Sequence, residues 1–113
     1  MNFLIRILIT ALAAFGLSYI LSGVHIDSFV TALIIALVLA ILNALVKPIL
    51  IILTLPITIV TLGLFLFVIN ALIILLCAKM VSGFSVDGFW WALLFSILLS
   101  IVSSLLHSSG KKE

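Results

Sequence analysis

Charged residues are scarce in this chain of 113 residues: they make up 7% of it, whereas 67% of the residues are hydrophobic and the mean hydropathy is +1.70. A soluble domain of this length could not bury so much apolar surface in its own core, so a water-soluble fold is excluded. The net charge of +2 is also too small for nucleic acid binding. The remaining solvent is a lipid bilayer, whose core is about 30 Å thick and requires roughly 20 apolar residues per helix.

Residues for covalent or metal chemistry are also few. The single cysteine, Cys77, excludes an intramolecular disulfide, and we expect it to pack at a contact between helices, with an intermolecular disulfide as the alternative. His25 and His107 have no second ligand at the spacing of a metal site. The sequence has no carboxylate pair within an apolar run, no Ser/His/Asp set and no glycine-rich phosphate loop. We therefore expect a protein that is not an enzyme and uses no cofactor or metal, and the sequence identifies no small-molecule substrate.

Apolar runs fill most of the chain, and short polar turns interrupt them. Four runs are long enough to span a bilayer as helices. The turns at 22–28 and 82–88 would join the helices into two hairpins, and the polar tail 108–113 is expected to fray. The four predicted spans are 3–21, 29–46, 63–81 and 89–107.

The two predicted hairpins repeat each other at an offset of 60 residues. The stretch SGVHIDSF at 22–29 returns as SGFSVDGF at 82–89. Because each copy contains two spans, the copies share one orientation, and their pseudo-twofold axis should run along the membrane normal. Asp27 and Asp87 precede the second helix of each copy and are the predicted N-caps, with Ser28 as a rival; an acidic ring at a pore mouth is the alternative.

The connector between the hairpins, residues 47–62, is too apolar for a solvated loop and too short to span a membrane. Thr54, Thr58 and Thr61 fall on one helical face, and proline removes backbone donors. This pattern predicts a break near the start of the connector, followed by an interfacial or re-entrant segment. The residues that mark the break are Lys47, Pro48, Pro56, Thr61 and Gly63.

The second helix of each hairpin has a small residue at every fourth position, which allows helix backbones to approach closely in lipid. The pattern does not distinguish contacts within one chain from contacts between chains. These predicted helix-packing residues, called the small-residue stripes below, are Ala32, Ala36, Ala40 and Ala44 in the first copy and Ala92, Ser96, Ser100 and Ser104 in the second.

Two amides lie inside the predicted spans, Asn43 and Asn70. An amide in hydrocarbon needs a hydrogen-bond partner, so both are predicted to be buried at helix contacts. The alternative is that they line a polar path or an oligomer seam.

Basic residues indicate the orientation. With four spans, Arg6, Lys47, Lys111 and Lys112 share one side of the membrane, and Lys79 lies on the other. The excess places both termini in the cytoplasm, although dual insertion remains an alternative. The predicted location is therefore the inner membrane of a bacterium.

The central stretch NALVKPIL at 43–50, followed by Leu-Pro at 55–56, Thr-Leu-Gly at 61–63 and Ile-Asn-Ala at 69–71, resembles the phage holin family, superfamily IV. These are small bacterial membrane proteins with four spans. The resemblance covers nearly the whole chain, and it implies a four-span fold and, by the family's name, a protein that assembles lesions in the inner membrane. The matched signature positions are Asn43, Lys47, Pro48, Pro56, Thr61, Gly63 and Asn70.

Together these patterns predict an all-α four-helix bundle in one transmembrane domain over 1–113. It would contain repeat 1 at 3–46, the connector at 47–62, repeat 2 at 63–107 and the tail at 108–113. We expect a non-enzymatic accessory or structural subunit that associates with itself or with a larger membrane complex. A holin-like permeabilising protein and a small transporter or channel are the alternatives.

Overall fold

The computed structural model describes residues 2–111, and the side chains of residues 2–106. The chain is almost entirely helical, with two short strands in the turns. The elements are α1 (Phe3–Ile20), β1 (Val24–Ile26), α2 (Phe29–Leu45), α3 (Lys47–Leu53), α4 (Leu55–Val60), α5 (Phe65–Met80), β2 (Phe84–Val86) and α6 (Phe89–Lys111).

Three stretches of the described chain are long and apolar enough to cross a membrane: Phe3–Ile20, Phe29–Leu53 and Phe89–Leu106. The fourth long helix, Phe65–Met80, is apolar but has only 16 residues. This arrangement is consistent with a four-span membrane protein. The backbone of α6 continues to Lys111, and fraying of the tail from residue 108 stays a prediction.

The four long helices form a ring in the order α1, α2, α5, α6, because α1 packs against α2 and α6 and α5 packs against the same two helices. The core lies between them and contains Phe95, Ile35, Ile69 and Cys77 as its largest fully buried helical side chains. Ala11 of α1 meets Ala32 and Ala36 of α2 in a second, smaller cluster. The helix–strand–helix order occurs twice, as α1–β1–α2 and α5–β2–α6.

The two polar turns pair with each other as an antiparallel ladder, a contact that the apolar and polar pattern of the sequence does not predict. Val24 pairs with Val86, His25 with Ser85 and Ile26 with Phe84. The ladder is extended on both sides, since Asp27 N donates to Gly83 O at 3.0 Å and Asp87 N donates to Gly23 O at 2.8 Å. The turn backbone is therefore hydrogen-bonded within the protein, as a membrane-embedded or interfacial segment requires.

The N-cap of α2 is Ser28, whose side chain accepts a hydrogen bond from Thr31 N at 3.3 Å. The prediction that Asp27 caps this helix is therefore wrong. The backbone of Asp27 is engaged with the opposite turn, and this places its carboxylate beside Gly83 rather than over the first turn of α2. In the second copy Gly88 O accepts from Ala92 N, and Asp87 lies one residue before that position.

The connector forms two short helices. Val46 keeps right-handed helical angles (φ −90°, ψ −42°), so α3 follows α2 with a weaker break than the sequence predicted near Lys47. Pro48 and Pro56 fall in the first positions of α3 and α4, where a missing N–H costs little. The clearer interruption is at Thr54 (φ −108°, ψ 13°). An interfacial or re-entrant position of this segment stays a prediction.

Candidate functional site: a groove at the open end

The bundle is packed unevenly along its length. We call the end that contains β1 and β2 the turn end, and the opposite end, where α1 begins and α2 stops, the open end. In α1 the buried residues lie between Ala11 and Leu17, and none of residues 3–10 is buried. In α6 the buried residues lie between Ala92 and Leu99, and none of the described side chains from Ser100 onward is buried.

A groove of about 630 Å³ lies at the open end, between α1, α2 and α6. Its floor is formed by the buried side chains Ala36, Leu39 and Leu99. Its walls are the half-buried Ile7, Thr10, Ala40 and Ser103, and its rim is the exposed set Phe3, Arg6, Asn43, Ala44, Ser100 and Ser104. The floor is thus apolar, and most of the rim is polar.

The small-residue stripes divide between the core and the groove. Their turn-end members are buried inside the chain, and Ser96 Oγ there donates to Leu93 O at 2.9 Å. Their open-end members line the groove instead. The buried members are Ala32, Ala36, Ala92 and Ser96, and the open-end members are Ala40, Ala44, Ser100 and Ser104. Each stripe therefore contributes to the core at the turn end and to the groove at the open end. The four-residue spacing of the small residues does not by itself show this division.

The sequence predicts that both amides are buried, and the structure fully buries neither of them. Asn43 is exposed on the rim, and Asn70 is half-buried on α5. The prediction of burial is therefore wrong for Asn43 within a single chain, because its side of α2 faces the groove rather than a neighbouring helix.

Three polar groups of the groove lie at the same height. Arg6, Asn43 and Ser103 are each 14 residues from the turn-end terminus of their own helix. At 1.5 Å per residue this places all three about 21 Å from the turn end. Ser103 Oγ is buried and has no hydrogen-bond partner among the described residues. The groove therefore has a polar level, formed by one cation, one amide and one unsatisfied hydroxyl.

Charged groups elsewhere are sparse. Among the described side chains the one close approach of a basic to an acidic group joins His25 Nε2 and Asp87 Oδ2 at 3.5 Å, on the exposed face of the turn end, and it is an ion pair when His25 is protonated. No three His, Cys, Asp or Glu side chains in that part of the chain are grouped to hold a metal ion. The side chain of His107 lies outside the described residues.

Comparison with known proteins gives the chain a family. Residues 1–105 match the family described as "Mycobacterial 4 TMS phage holin, superfamily IV". The chain belongs to this family. It is 43% identical over 104 residues to the uncharacterised membrane protein YvlD of Bacillus subtilis. The aligned region covers 91% of this chain and 87% of that relative. It is 41% identical over 86 residues to an uncharacterised protein of Streptomyces coelicolor, covering 73% and 69%. No solved structure matches.

The family match confirms the resemblance found in the sequence, and the structure shows what some of the resembling residues do. Thr61 Oγ1 donates to Ile57 O at 3.0 Å and accepts from Phe65 N at 3.1 Å, so it joins the end of α4 to the start of α5. Gly63 has a φ of +89°, which a residue with a Cβ rarely adopts. Gly63 N also donates to Thr58 O at 2.8 Å and closes α4. These residues shape the link between the hairpins.

Proposed function

We propose that this protein is a non-enzymatic accessory or structural subunit of the bacterial inner membrane, and that it associates with another membrane protein through the rim of the groove. The partner is a second copy or a larger assembly. The observation that carries this proposal is that the open-end members of the small-residue stripes line the groove, and that Ala44, Ser100 and Ser104 are exposed there.

Small side chains favour association in lipid because they let two backbones approach closely and gain van der Waals contact. Ala44, Ser100 and Ser104 are exposed on the rim, and the serine hydroxyls can also bond across a helix pair. The turn-end members show the same chemistry in use, because Ala32 and Ala36 already meet Ala11 within the chain.

The proposed topology has four spans with both termini in the cytoplasm and the turn end outside. It is supported by the basic residues Arg6 and Lys47, which lie toward the open end, against Lys79 toward the turn end. We also propose that the hairpins are repeats related by rotation about the membrane normal. Buried positions recur at the offset of 60 in support of this: Ala11 and Ala71, Val24 and Phe84, Ala32 and Ala92, and Ile35 and Phe95.

The family's name suggests membrane permeabilisation, and transport is a further alternative. Two observations favour the accessory role over both. The groove stops at the floor residues, and the core and the ladder fill the bundle beyond them toward the turn end. The exposed helix faces also consist largely of apolar side chains, which suit lipid rather than the wall of a wide aqueous hole.

The test is to purify the protein in mild detergent, measure the mass of the assembly and identify the proteins that co-purify. Replacing Ser100 and Ser104 together by Leu should release the partner, because bulky side chains separate the backbones. Ser22→Leu, an exposed serine at the turn end, is the matched control and should leave the assembly intact. Ser96 is unsuitable for this test, because it is only 5% exposed and Leu there would disturb the core.

Two outcomes would contradict the proposal. If the Leu substitutions leave the assembly mass and its protein content unchanged, the rim is not the contact surface. If expression of the unaltered protein collapses the membrane potential and stops growth abruptly, the permeabilising function replaces the accessory one.

A further inference from the structure

The groove carries a positive charge that no described carboxylate offsets. Arg6 is the one charged side chain among its lining residues, while Asp27 and Asp87 lie at the turn end. A guanidinium presents several donors in a planar fork, and it binds carboxylate or phosphate oxygens more strongly than it binds neutral acceptors. The open end is therefore suited to an oxyanion.

Hydrogen-bonding groups surround that charge at the same height. Asn43 faces the groove at the level of Arg6, and Ser103 Oγ is buried there without a partner among the described residues. Because Ser103 Oγ has essentially no accessible surface, a rotation of its side chain about χ1 must bring it to a ligand oxygen, and the bond would then satisfy a hydroxyl that the chain leaves unpaired.

The order of polarity in the groove matches an amphiphile. The polar rim leads inward to the apolar floor of Ala36, Leu39 and Leu99. A volume of about 630 Å³ lies in the middle of the range of roughly 300–1,000 Å³ that is usual for ligand pockets. The polar level lies about 21 Å from the turn end, so in a bilayer core of about 30 Å it is within reach of the nearer headgroups for a long arginine side chain.

We propose that the groove binds one anionic phospholipid, with the phosphate of its headgroup held by Arg6, Asn43 and Ser103 and one acyl chain along the floor. This site goes beyond the protein contact proposed above, since it uses Arg6, Asn43, Ser103 and the floor, whereas that contact uses Ala44, Ser100 and Ser104. A transmembrane helix from a partner would cover Arg6 without supplying an anion, unless it carried a carboxylate at the same depth.

The experiment is native mass spectrometry of the full chain after reconstitution in vesicles and extraction in mild detergent, with bound lipids counted. Vesicles of phosphatidylglycerol should yield one retained lipid per chain, whereas vesicles enriched in diacylglycerol, which lacks the phosphate, should yield none. Arg6→Gln should weaken retention by about tenfold, since charge-assisted bonds are the strongest on offer. Arg6→Lys keeps the charge without the fork and should weaken retention less than Arg6→Gln does.

Lys79→Gln is the matched control, because it removes one positive charge at the turn end, away from the groove, and should leave retention unchanged. Cys77 reports on the fold: it is 0% exposed, so slow reaction with a thiol reagent shows that each variant is still folded. Ser103→Ala should give a smaller loss of retention than Arg6→Gln.

Four results would overturn the inference. If the folded Arg6→Gln and Lys79→Gln variants retain equal amounts of phosphatidylglycerol, Arg6 does not contribute to lipid binding. Equal retention of diacylglycerol and phosphatidylglycerol would show that the groove does not recognise the phosphate. Displacement of the lipid by millimolar inorganic phosphate would identify a site for the free anion, and a bound polypeptide in place of lipid would identify a protein groove. Loss of the lipid with the assembly mass unchanged would separate this site from the protein contact.

Discussion

The turn end and the open end of the bundle are held by different kinds of contact. At the turn end, backbone hydrogen bonds join β1 to β2, and large side chains such as Phe95 and Phe84 pack with ring centroids 5.9 Å apart. At the open end, α1, α2 and α6 leave a groove with polar groups on its rim. One end therefore holds the helices together, and the other leaves them apart.

This difference suggests how a small membrane protein can offer a binding surface without losing its fold. In lipid, helix association depends on packing and hydrogen bonds, since lipid tails are as apolar as the helices. The ladder and the alanine contacts concentrate those interactions in the turn-end half of the bundle. The polar groups at the open end can then remain unpaired within the chain. Substitutions that lower stability are therefore expected to differ from those that weaken binding.

The largest effect is expected for Phe95→Ala. Phe95 is fully buried near the turn end, and truncating a buried phenylalanine typically costs about 3–5 kcal/mol. Leu105→Ala on the same helix is the control, because Leu105 is 64% exposed at the open end and should change stability by less than about 0.5 kcal/mol. Denaturation in mixed micelles, followed by the reactivity of Cys77, measures both. Similar costs would show that the two ends are equally well packed.

A smaller effect is expected for Gly23→Ala. A Cβ at Gly23 would overlap the indole ring of Trp91, and overpacking of this kind costs about 1–3 kcal/mol. Gly16→Ala is the matched control within α1: a Cβ there meets nothing within 4 Å, and replacing a mid-helix glycine should stabilise by about 0.5–1 kcal/mol. If the indole is the cause, adding Trp91→Ala should remove the Gly23→Ala penalty. A penalty that persists would place the strain in the backbone of the turn instead.

The same two ends show which features the sequence could reveal. The helices follow from the apolar runs, and the turns follow from Ser-Gly and Asp at matching positions in both copies. The β1–β2 ladder cannot be predicted from local sequence patterns, because each strand has only three residues and its partner lies about 60 residues away. The only local sign is the alternation of apolar and polar residues in Val-His-Ile and Phe-Ser-Val.

The groove was predictable only in its parts. The period of the stripes identified Ser100 and Ser104 as contact residues, but a helical period cannot show where neighbouring helices diverge. The need of an amide for a partner in hydrocarbon predicts burial of Asn43, but its face of α2 is covered near the turn end and uncovered near the open end. Arg6 and Ser103 join the groove because α1 and α6 pack against each other, a long-range contact that no local pattern encodes.

The identity of the α2 cap gives a third, still smaller effect at the turn end. Ser28→Ala should cost about 1 kcal/mol, because it removes the side-chain acceptor for Thr31 N. Asp27→Ala should change stability by less than about 0.5 kcal/mol, since the Asp27 contact in the ladder uses its backbone N–H. Both are measured by the same denaturation assay. A larger loss for Asp27→Ala than for Ser28→Ala would restore the carboxylate as the cap.

The smallest effect is expected for the ion pair between His25 and Asp87. Both side chains are just over half exposed and lie 3.5 Å apart, so solvent screening keeps the coupling to about 0.3 kcal/mol. A double-mutant cycle with His25→Ala and Asp87→Asn measures it, and raising the salt concentration should reduce it further. Ser85→Ala, at the residue paired with His25 in the ladder, is the control for a general loosening of the strands. A salt-insensitive coupling above about 1 kcal/mol would mean that side chains, and not the backbone ladder, hold the turn end closed.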